Sequence, residues 1–261
     1  MDDFLLYERD GAIVTLTMNS PATRNALAGE RETRCFEHMC DRINADREVR
    51  CVILTGAGDA FCSGGNIKDM LARRGLAEGT PLEILERYRS SIQRIPLSLY
   101  RLEVPLIAAV NGPAYGAGCD IACMCDIRIA STTARFAESF TKLGIVAGDG
   151  GSWFLPRAVG FSRAAEMSFT GDPIDAHTAL AWGLVSKVVS PDALAGAARA
   201  LADRVAANPG SSLRLAKRLL REGQRCGLES LLEMTAGFQA IAHHTEEHMR
   251  AMQALFKENG T

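Results

Sequence analysis

No run of apolar residues in this 261-residue chain approaches the length of a membrane span; the longest, such as Leu106–Val110, are strand-sized. The first three residues, Met1-Asp2-Asp3, are acidic, and the N-terminal segment lacks the positive start and apolar stretch of a signal peptide. Charge of one sign is also scarce. The formal net charge is −2 and the isoelectric point about 6.2, with no basic run, which argues against nucleic-acid and membrane-surface partners. The eight cysteines (Cys35, Cys40, Cys51, Cys62, Cys119, Cys123, Cys125 and Cys226) form no CxxC pair and have no histidine beside them in a zinc pattern, so no metal site is expected. Reduced, buried thiols in a cytoplasmic protein are the simplest reading. What remains is ordinary globular composition, 47% hydrophobic and 23% charged, in a chain long enough for one domain or one domain with an appendage.

Several familiar motifs fail. Gly116-x-Gly118 invites a dinucleotide-binding reading, but Ile121 stands where the third glycine belongs and no acidic residue follows at the required distance. Gly56-Ala57-Gly58 lacks the Lys-Ser/Thr of a phosphate-binding loop, and no Gly-x-Ser-x-Gly elbow is present. His244 and His248 have the i,i+4 spacing of a metal pair and cluster with His243, but without an HExxH pattern a solvated helix face is the better account.

Periodicity places two strands over 5–8 and 12–18 with Asp10-Gly11 as the turn, then a helix with Cys35, Phe36, Met39, Cys40 and Ile43 on one face. Buried strands are expected over 51–55 and 104–110, one long helix over 81–100, a short helix over 116–125, and strands over 127–130 and 185–189. A helix is expected over 152–159, and Asp175 reads as the N-cap of another over 176–182. From Pro191 onward the chain reads helical, with breaks near Pro209 and Gly227. Strands alternate with helices up to about residue 190, so the fold class is α/β with a C-terminal α-helical module.

Two buried strands run into glycine-rich junctions, Leu54-Thr55-Gly56 towards Ser63-Gly64-Gly65 and Ala109-Val110-Asn111-Gly112 towards Gly116-Ala117-Gly118. Glycine lets a backbone approach a ligand closely, and the second junction opens a helix whose first N–H groups have no intrahelical partner. Such donors stabilise a developing oxyanion; the same composition also suits plain tight turns. Asp120 lies one helical turn beyond Ala117 among apolar neighbours. It is either a desolvated general acid or base or a complement to the helix dipole.

Taken in order along the chain, these segments resemble the crotonase (enoyl-CoA hydratase/isomerase) superfamily. The resemblance rests on Asn19-Ser20-Pro21-x-x-Arg24-Asn25-Ala26-Leu27, Ala60-Phe61-Cys62-Ser63-Gly64-Gly65-Asn66-Ile67, Ala109-Val110-Asn111-Gly112 with Gly116-Ala117-Gly118-Cys119-Asp120, the stretch 144–151, Leu155-Pro156-Arg157, and Gly183-Leu184-Val185. It implies a spiral of repeated ββα units over 1–195 and a helical region over 196–261 that packs homotrimers or dimers of trimers. It implies an acyl-CoA thioester as substrate, with coenzyme A entering as part of that substrate and no separate cofactor. The oxyanion hole would be the N–H groups of Gly65 and Ala117, and the CoA moiety would lie along Arg24, Ala26, Ala60, Ser63, Gly65, Asn66, Ile67 and Lys68.

The chain departs from the hydratases of that family, which use two glutamates. The first maps onto Asp120. The second maps onto Phe140; Glu138 falls two positions earlier and Lys142 two positions later. Asp149 is the candidate substitute, either as a second catalytic carboxylate or as an N-cap for the helix from Gly150. Two carboxylates at the substrate leave hydration, isomerisation and thioester hydrolysis open; one favours isomerisation. Dehalogenation, decarboxylation, or acyl-CoA binding without catalysis on the same scaffold are the alternatives. Acyl selectivity is expected from irregular segments such as 70–80.

Overall fold

Alternating apolar residues build the first hairpin. β1 (Leu5–Asp10) and β2 (Ile13–Met18) pair antiparallel, with Leu5 opposite Met18 and Asp10 opposite Ile13, and Gly11 takes the turn at φ 59°. The computed structural model describes residues 4–258, so the acidic Met1-Asp2-Asp3 start lies outside the described residues. Helix α1 (Glu30–Ala45) buries the expected face through Phe36, Met39, Cys40 and Ile43. The buried Glu32 accepts from the Gly29 and Ala28 N–H groups at 2.9 and 3.2 Å, which satisfies donors ahead of the helix. β3 (Cys51–Gly56) then pairs parallel to β2.

Helices α2 (Ile67–Leu71), α3 (Pro81–Ser90) and α4 (Arg94–Arg101) come next. The single helix expected over 81–100 is thus two. Ser91 leaves helical geometry at φ −125° and ψ −104°. Pro96 has no N–H for the Ile92 carbonyl, and that carbonyl is taken by the Ile95 N–H in a tighter turn.

The chain continues through β4 (Leu106–Val110), β5 (Ala114–Tyr115), α5 (Ala117–Met124), β6 (Ile127–Ser131), β7 (Arg135–Ala137), α6 (Gly151–Val159), α7 (Phe161–Thr170), β8 (Ile174–Asp175), α8 (Ala176–Ala181) and β9 (Lys187–Val189). Asp175 caps α8 as expected, accepting from the Thr178 N–H at 2.8 Å. The main sheet has the order β1-β2-β3-β4-β6-β9, parallel from β2 onward. A small sheet, β5-β7-β8, stands apart; its strands of two or three residues are too short for periodicity to reveal.

Both faces of the main sheet are covered, as parallel sheets require. Val52, Leu54, Leu106 and Ala108 face a core shared with α1, α4 and α5. Cys51, Ile53, Ile107 and Ala109 face the opposite way, against Leu194, Ala198 and Ala202 of α9 (Leu194–Ala206). Each large aliphatic side chain so buried contributes about 1.5–3 kcal/mol. The helical tail continues as α10 (Gly210–Glu222), α11 (Leu228–His243) and α12 (Glu246–Glu258), broken at Pro209 and Gly227 as expected. Lys217 anchors α10: its buried ammonium donates to the Val104 carbonyl and meets Asp126, each at 2.6 Å. Because Thr245 interrupts the helix and accepts from the His248 N–H, His244 and His248 do not share one helix face; His243 Nδ1 instead lies 3.2 Å from His248 Nε2. All eight cysteines are unpaired, and among the described residues no helix is long and apolar enough to cross a membrane.

Candidate active site

The two glycine-rich junctions meet. A Cβ added to Gly64 would sit 2.5 Å from the Tyr115 carbonyl oxygen and 3.3 Å from the Ala117 nitrogen; one added to Gly118 would sit 2.1 Å from the Cys62 carbonyl oxygen. Only glycine permits this approach, and Gly64 also has a φ of 84°. Bridges between Leu27 and Gly65 and between Cys62 and Ala114 stitch the two junctions and the loop after β2 together. Ala117 is the first residue of α5, so its N–H has no partner within the helix. Among the described residues, Gly65 donates no loop hydrogen bond. Both residues line one narrow pocket of about 30 Å³, together with Met70, Tyr88, Phe140 and Asp149. The pocket thus lies at the N-terminal end of α5, where unpaired N–H groups and the helix dipole favour negative charge.

The residues expected along CoA sit on the Arg24 loop, the β3 junction and α2, some exposed and some buried. Asn25, buried at φ 58°, fastens the Arg24 loop to the β3 junction: its amide donates to the Ala57, Ala60 and Phe61 carbonyls at 3.0, 3.0 and 3.2 Å, and its oxygen accepts from the Ser20 N–H at 2.8 Å. Ser63 N–H donates to the Arg24 carbonyl at 2.9 Å. Ala26 and Ala60 are buried under the loops. Ile67 and Lys68 are exposed on α2, which Asn66 caps through the Lys68 N–H. A larger hollow beside α3 is lined by Glu30, Glu78, Glu83 and Glu86, a negative rim unsuited to a phosphate-bearing ligand.

Three carboxyls gather behind the donors. Asp120 on α5 is fully buried; Glu138, just after β7, is 2% exposed; Asp149, in the loop before α6, is 5% exposed. Only Asp149 lines the pocket between Gly65 and Ala117. Asp120 is packed away beneath Gly151, where an added Cβ would lie 2.1 Å from its Oδ1. It therefore backs Asp149 rather than facing the pocket. Asp149 does not cap α6: Gly150 is the N-cap, with no side-chain bond to the helix. Asp149 also borders a wider cavity of about 410 Å³ lined by Pro96, Leu97, Tyr100, Trp153 and Phe154.

The electrostatics come from burial. Loss of water, then the charges of Asp149 and Glu138, hold the Asp120 carboxyl well above the usual carboxylate range. Burial raises Glu138 to about 7 and raises Asp149, and for both the hydrogen bond with Asp120 opposes the rise. With all three ionised, Asp120 Oδ1 and Oδ2, Glu138 Oε1 and Asp149 Oδ1 have no hydrogen-bond partner. A proton on Asp120 supplies the missing donor. Burial and the Asp149 charge also raise Tyr88, and burial pushes the Cys62 thiol up to about 12.

Three members of the site were given no role from sequence. Tyr88 and Met70 reach the pocket from separate helices, and only the three-dimensional path shows it. Glu138 stood two positions from the expected glutamate, yet it contacts Asp120, while Phe140 occupies the pocket wall and Lys142 turns away to pair with Asp172.

The sequence model described as Enoyl-CoA hydratase/isomerase matches residues 8–261. The chain is 36% identical over 255 residues to a short-chain-enoyl-CoA hydratase of Clostridium acetobutylicum, covering 97% of this chain and 95% of that protein. It is 32% identical over 256 residues to a 1,2-epoxyphenylacetyl-CoA isomerase of Escherichia coli, covering 98% and 96%. The crystal structure of an enoyl-CoA hydratase from Mycobacterium smegmatis superposes with a TM-score of 0.89 at 31% identity, covering 98% of this chain and 96% of that one. That of a Bacillus anthracis enoyl-CoA hydratase does so with 0.89 at 30%, covering 97% and 96%. The chain belongs to the enoyl-CoA hydratase/isomerase family and is an acyl-CoA-processing enzyme of the crotonase fold.

Proposed function

We propose that this enzyme shifts a double bond in an enoyl-CoA thioester, with Asp149 as the single proton carrier and the Gly65 and Ala117 N–H groups as the oxyanion hole. One observation carries the reading: of the three buried carboxyls, Asp149 alone lines the pocket that both donors share. Hydration needs one group to activate water and another to protonate the α-carbon. The position that would hold the second carboxylate is Phe140, an apolar ring that cannot do either.

In the proposed reaction the thioester oxygen of a 3-enoyl-CoA accepts from Gly65 and Ala117. Asp149 takes a proton from the α-carbon, the C–H pair moves into the dienolate, and negative charge collects on the oxygen held by the two donors. Asp149 then returns the proton to the γ-carbon, giving the 2-enoyl thioester and restoring the carboxylate. The raised pKa of Asp149, caused by burial, makes it a stronger base than an ordinary carboxylate. The aromatic-lined cavity that Asp149 also borders supports an extended or aromatic acyl group.

The CoA moiety lies along Arg24, Ala26, Ala60, Ser63, Asn66, Ile67 and Lys68, and no cofactor beyond the substrate's own CoA takes part. Within residues 196–261, α11 and α12 form the subunit contacts of a homotrimer or a dimer of trimers; their exposed Leu228, Leu232, Ile241 and Met249 support that reading, while α9 covers the chain's own sheet. The protein works in the cytoplasm. The test compares turnover of a 3-enoyl-CoA with hydration of crotonyl-CoA by the purified enzyme. Isomerisation is expected to dominate; hydration that matches or exceeds it would overturn the assignment.

A further inference from the structure

We propose that Glu138 is a positioning residue for Asp149: Asp120 carries one proton, can donate it either to Asp149 or to Glu138, and the ionisation of Glu138 decides which acceptor receives it. This rests on the reading of Asp149 as the working base.

Geometry leads to it. Asp120 sits between the other two carboxyls, in hydrogen-bonding contact with both, and each of the three is more than nine-tenths shielded from solvent. Glu138 does not line the pocket, so it cannot touch the substrate. Apart from one another's carboxyls, Glu138 Oε1 and both oxygens of Asp120 have no hydrogen-bond partner. The groups facing the cluster bring no positive charge. Cys119 and, through it, Cys123 approach Glu138 from α5; Tyr88 and Cys62 act on Asp149 from α3 and the β3 junction. Three ionised carboxylates without a cation cannot remain buried together, so at least one proton stays in the cluster. Asp120, the innermost and the one with two acidic neighbours, is its seat.

A single O–H serves one acceptor at a time. When Glu138 is protonated it donates to the free oxygen of Asp120, and the Asp120 O–H turns to Asp149, holding that carboxylate ionised and aimed at the pocket. When Glu138 is ionised it competes for the same O–H, and Asp149 loses its donor. No proton leaves Asp120 in this exchange; only the hydrogen bond moves. Burial sets the Glu138 ionisation at about 7, so the exchange falls within the physiological range.

Glu138→Gln mimics the protonated state, because its amide can donate to Asp120 at every pH. For isomerisation of a 3-enoyl-CoA, the wild-type kcat/KM is expected to fall roughly tenfold between pH 6 and pH 8.5, the rate equivalent of one hydrogen bond to a charged group. The Glu138→Gln profile is expected to be flat over that interval. A purely structural role for Glu138 would scale the whole profile without changing its shape, and two profiles of the same shape would overturn the proposal. Asp120→Asn supplies an independent variant: its amide presents two N–H donors, so both acceptors are served at once and the pH dependence again disappears. A further readout does not depend on turnover. Infrared absorption of protonated carboxyls in the substrate-free enzyme is expected to decrease between pH 6 and 8 in wild type and to stay constant in Glu138→Gln; identical titrations would refute the arrangement. Full activity of Asp149→Asn would refute the isomerase reading alone, leaving the infrared titration to decide on Glu138.

Discussion

Glu138 makes the folded protein pH-sensitive, and the effect is large enough to measure as stability. Its ordinary pKa is 4.5 and burial raises it to about 7 in the folded chain. Between those values the folded protein keeps a proton that the unfolded chain has released. The stabilisation is complete below 4.5 and is lost as pH rises through about 7. A difference of about 2.5 in pKa, at about 1.36 kcal/mol each, corresponds to about 3 kcal/mol. Glu138→Gln removes this dependence. Asp120 and Asp149 are raised too and slope the same way, whereas Asp175, lowered by the Thr178 N–H, and Glu247, lowered by hydrogen bonds to the Ser211 side chain and then to the Ser211 and Gly210 N–H groups, slope oppositely. The comparison of variant with wild type cancels Asp175 and Glu247 and reads the carboxyl cluster in which Glu138 sits. Urea unfolding at fixed protein concentration, from pH 4.5 to pH 8, is the assay. Stability of the variant relative to wild type is expected to rise by about 3 kcal/mol across that interval. A constant difference, or one that shrinks with pH, would refute the burial argument for this carboxyl.

Other consequences come from single contacts. Ala117→Pro removes one oxyanion donor at a helix position that tolerates proline; kcat is expected to fall about 10²–10³-fold with the fold intact by circular dichroism, and an unchanged kcat would remove Ala117 from the site. Asn25→Ala leaves the Ala57, Ala60 and Phe61 carbonyls without their shared donor. A loss of about 1–3 kcal/mol in urea unfolding is expected, with a higher KM for the CoA thioester because the Arg24 loop is no longer fastened. Lys217→Met leaves the Val104 carbonyl without its donor and Asp126 with Arg221 as its remaining cation, and should cost about 1–3 kcal/mol by the same assay.

Much of this arrangement is legible in the sequence because it is local. The glycine-rich junctions, Asp120 one turn after Ala117, and the Asp175 cap are set by residues close together in the chain, where spacing maps directly onto geometry. The alternation of Cys51, Val52, Ile53 and Leu54 likewise foretells a strand buried on both faces. The split between α3 and α4 was hidden because periodicity continues across Ser91, and Pro96 falls where a helix start tolerates it. Which carboxyl lines the pocket was also hidden. Asp120 carries the family position, but Gly151 lets it sink beneath the loop that presents Asp149, and that contact spans some thirty residues of sequence. Glu138 reaches the cluster from the end of a three-residue strand whose pairing has no sequence signature.

The central claim is that Asp149 alone exchanges protons with the acyl chain. Nuclear magnetic resonance of an enoyl-CoA incubated with enzyme in deuterated water tests it directly, by following deuterium entry at the α- and γ-carbons. Wild-type enzyme is expected to label both positions, and Asp149→Asn to slow labelling about 10²–10⁴-fold while still binding the thioester. Labelling by Asp149→Asn at the wild-type rate would contradict the account.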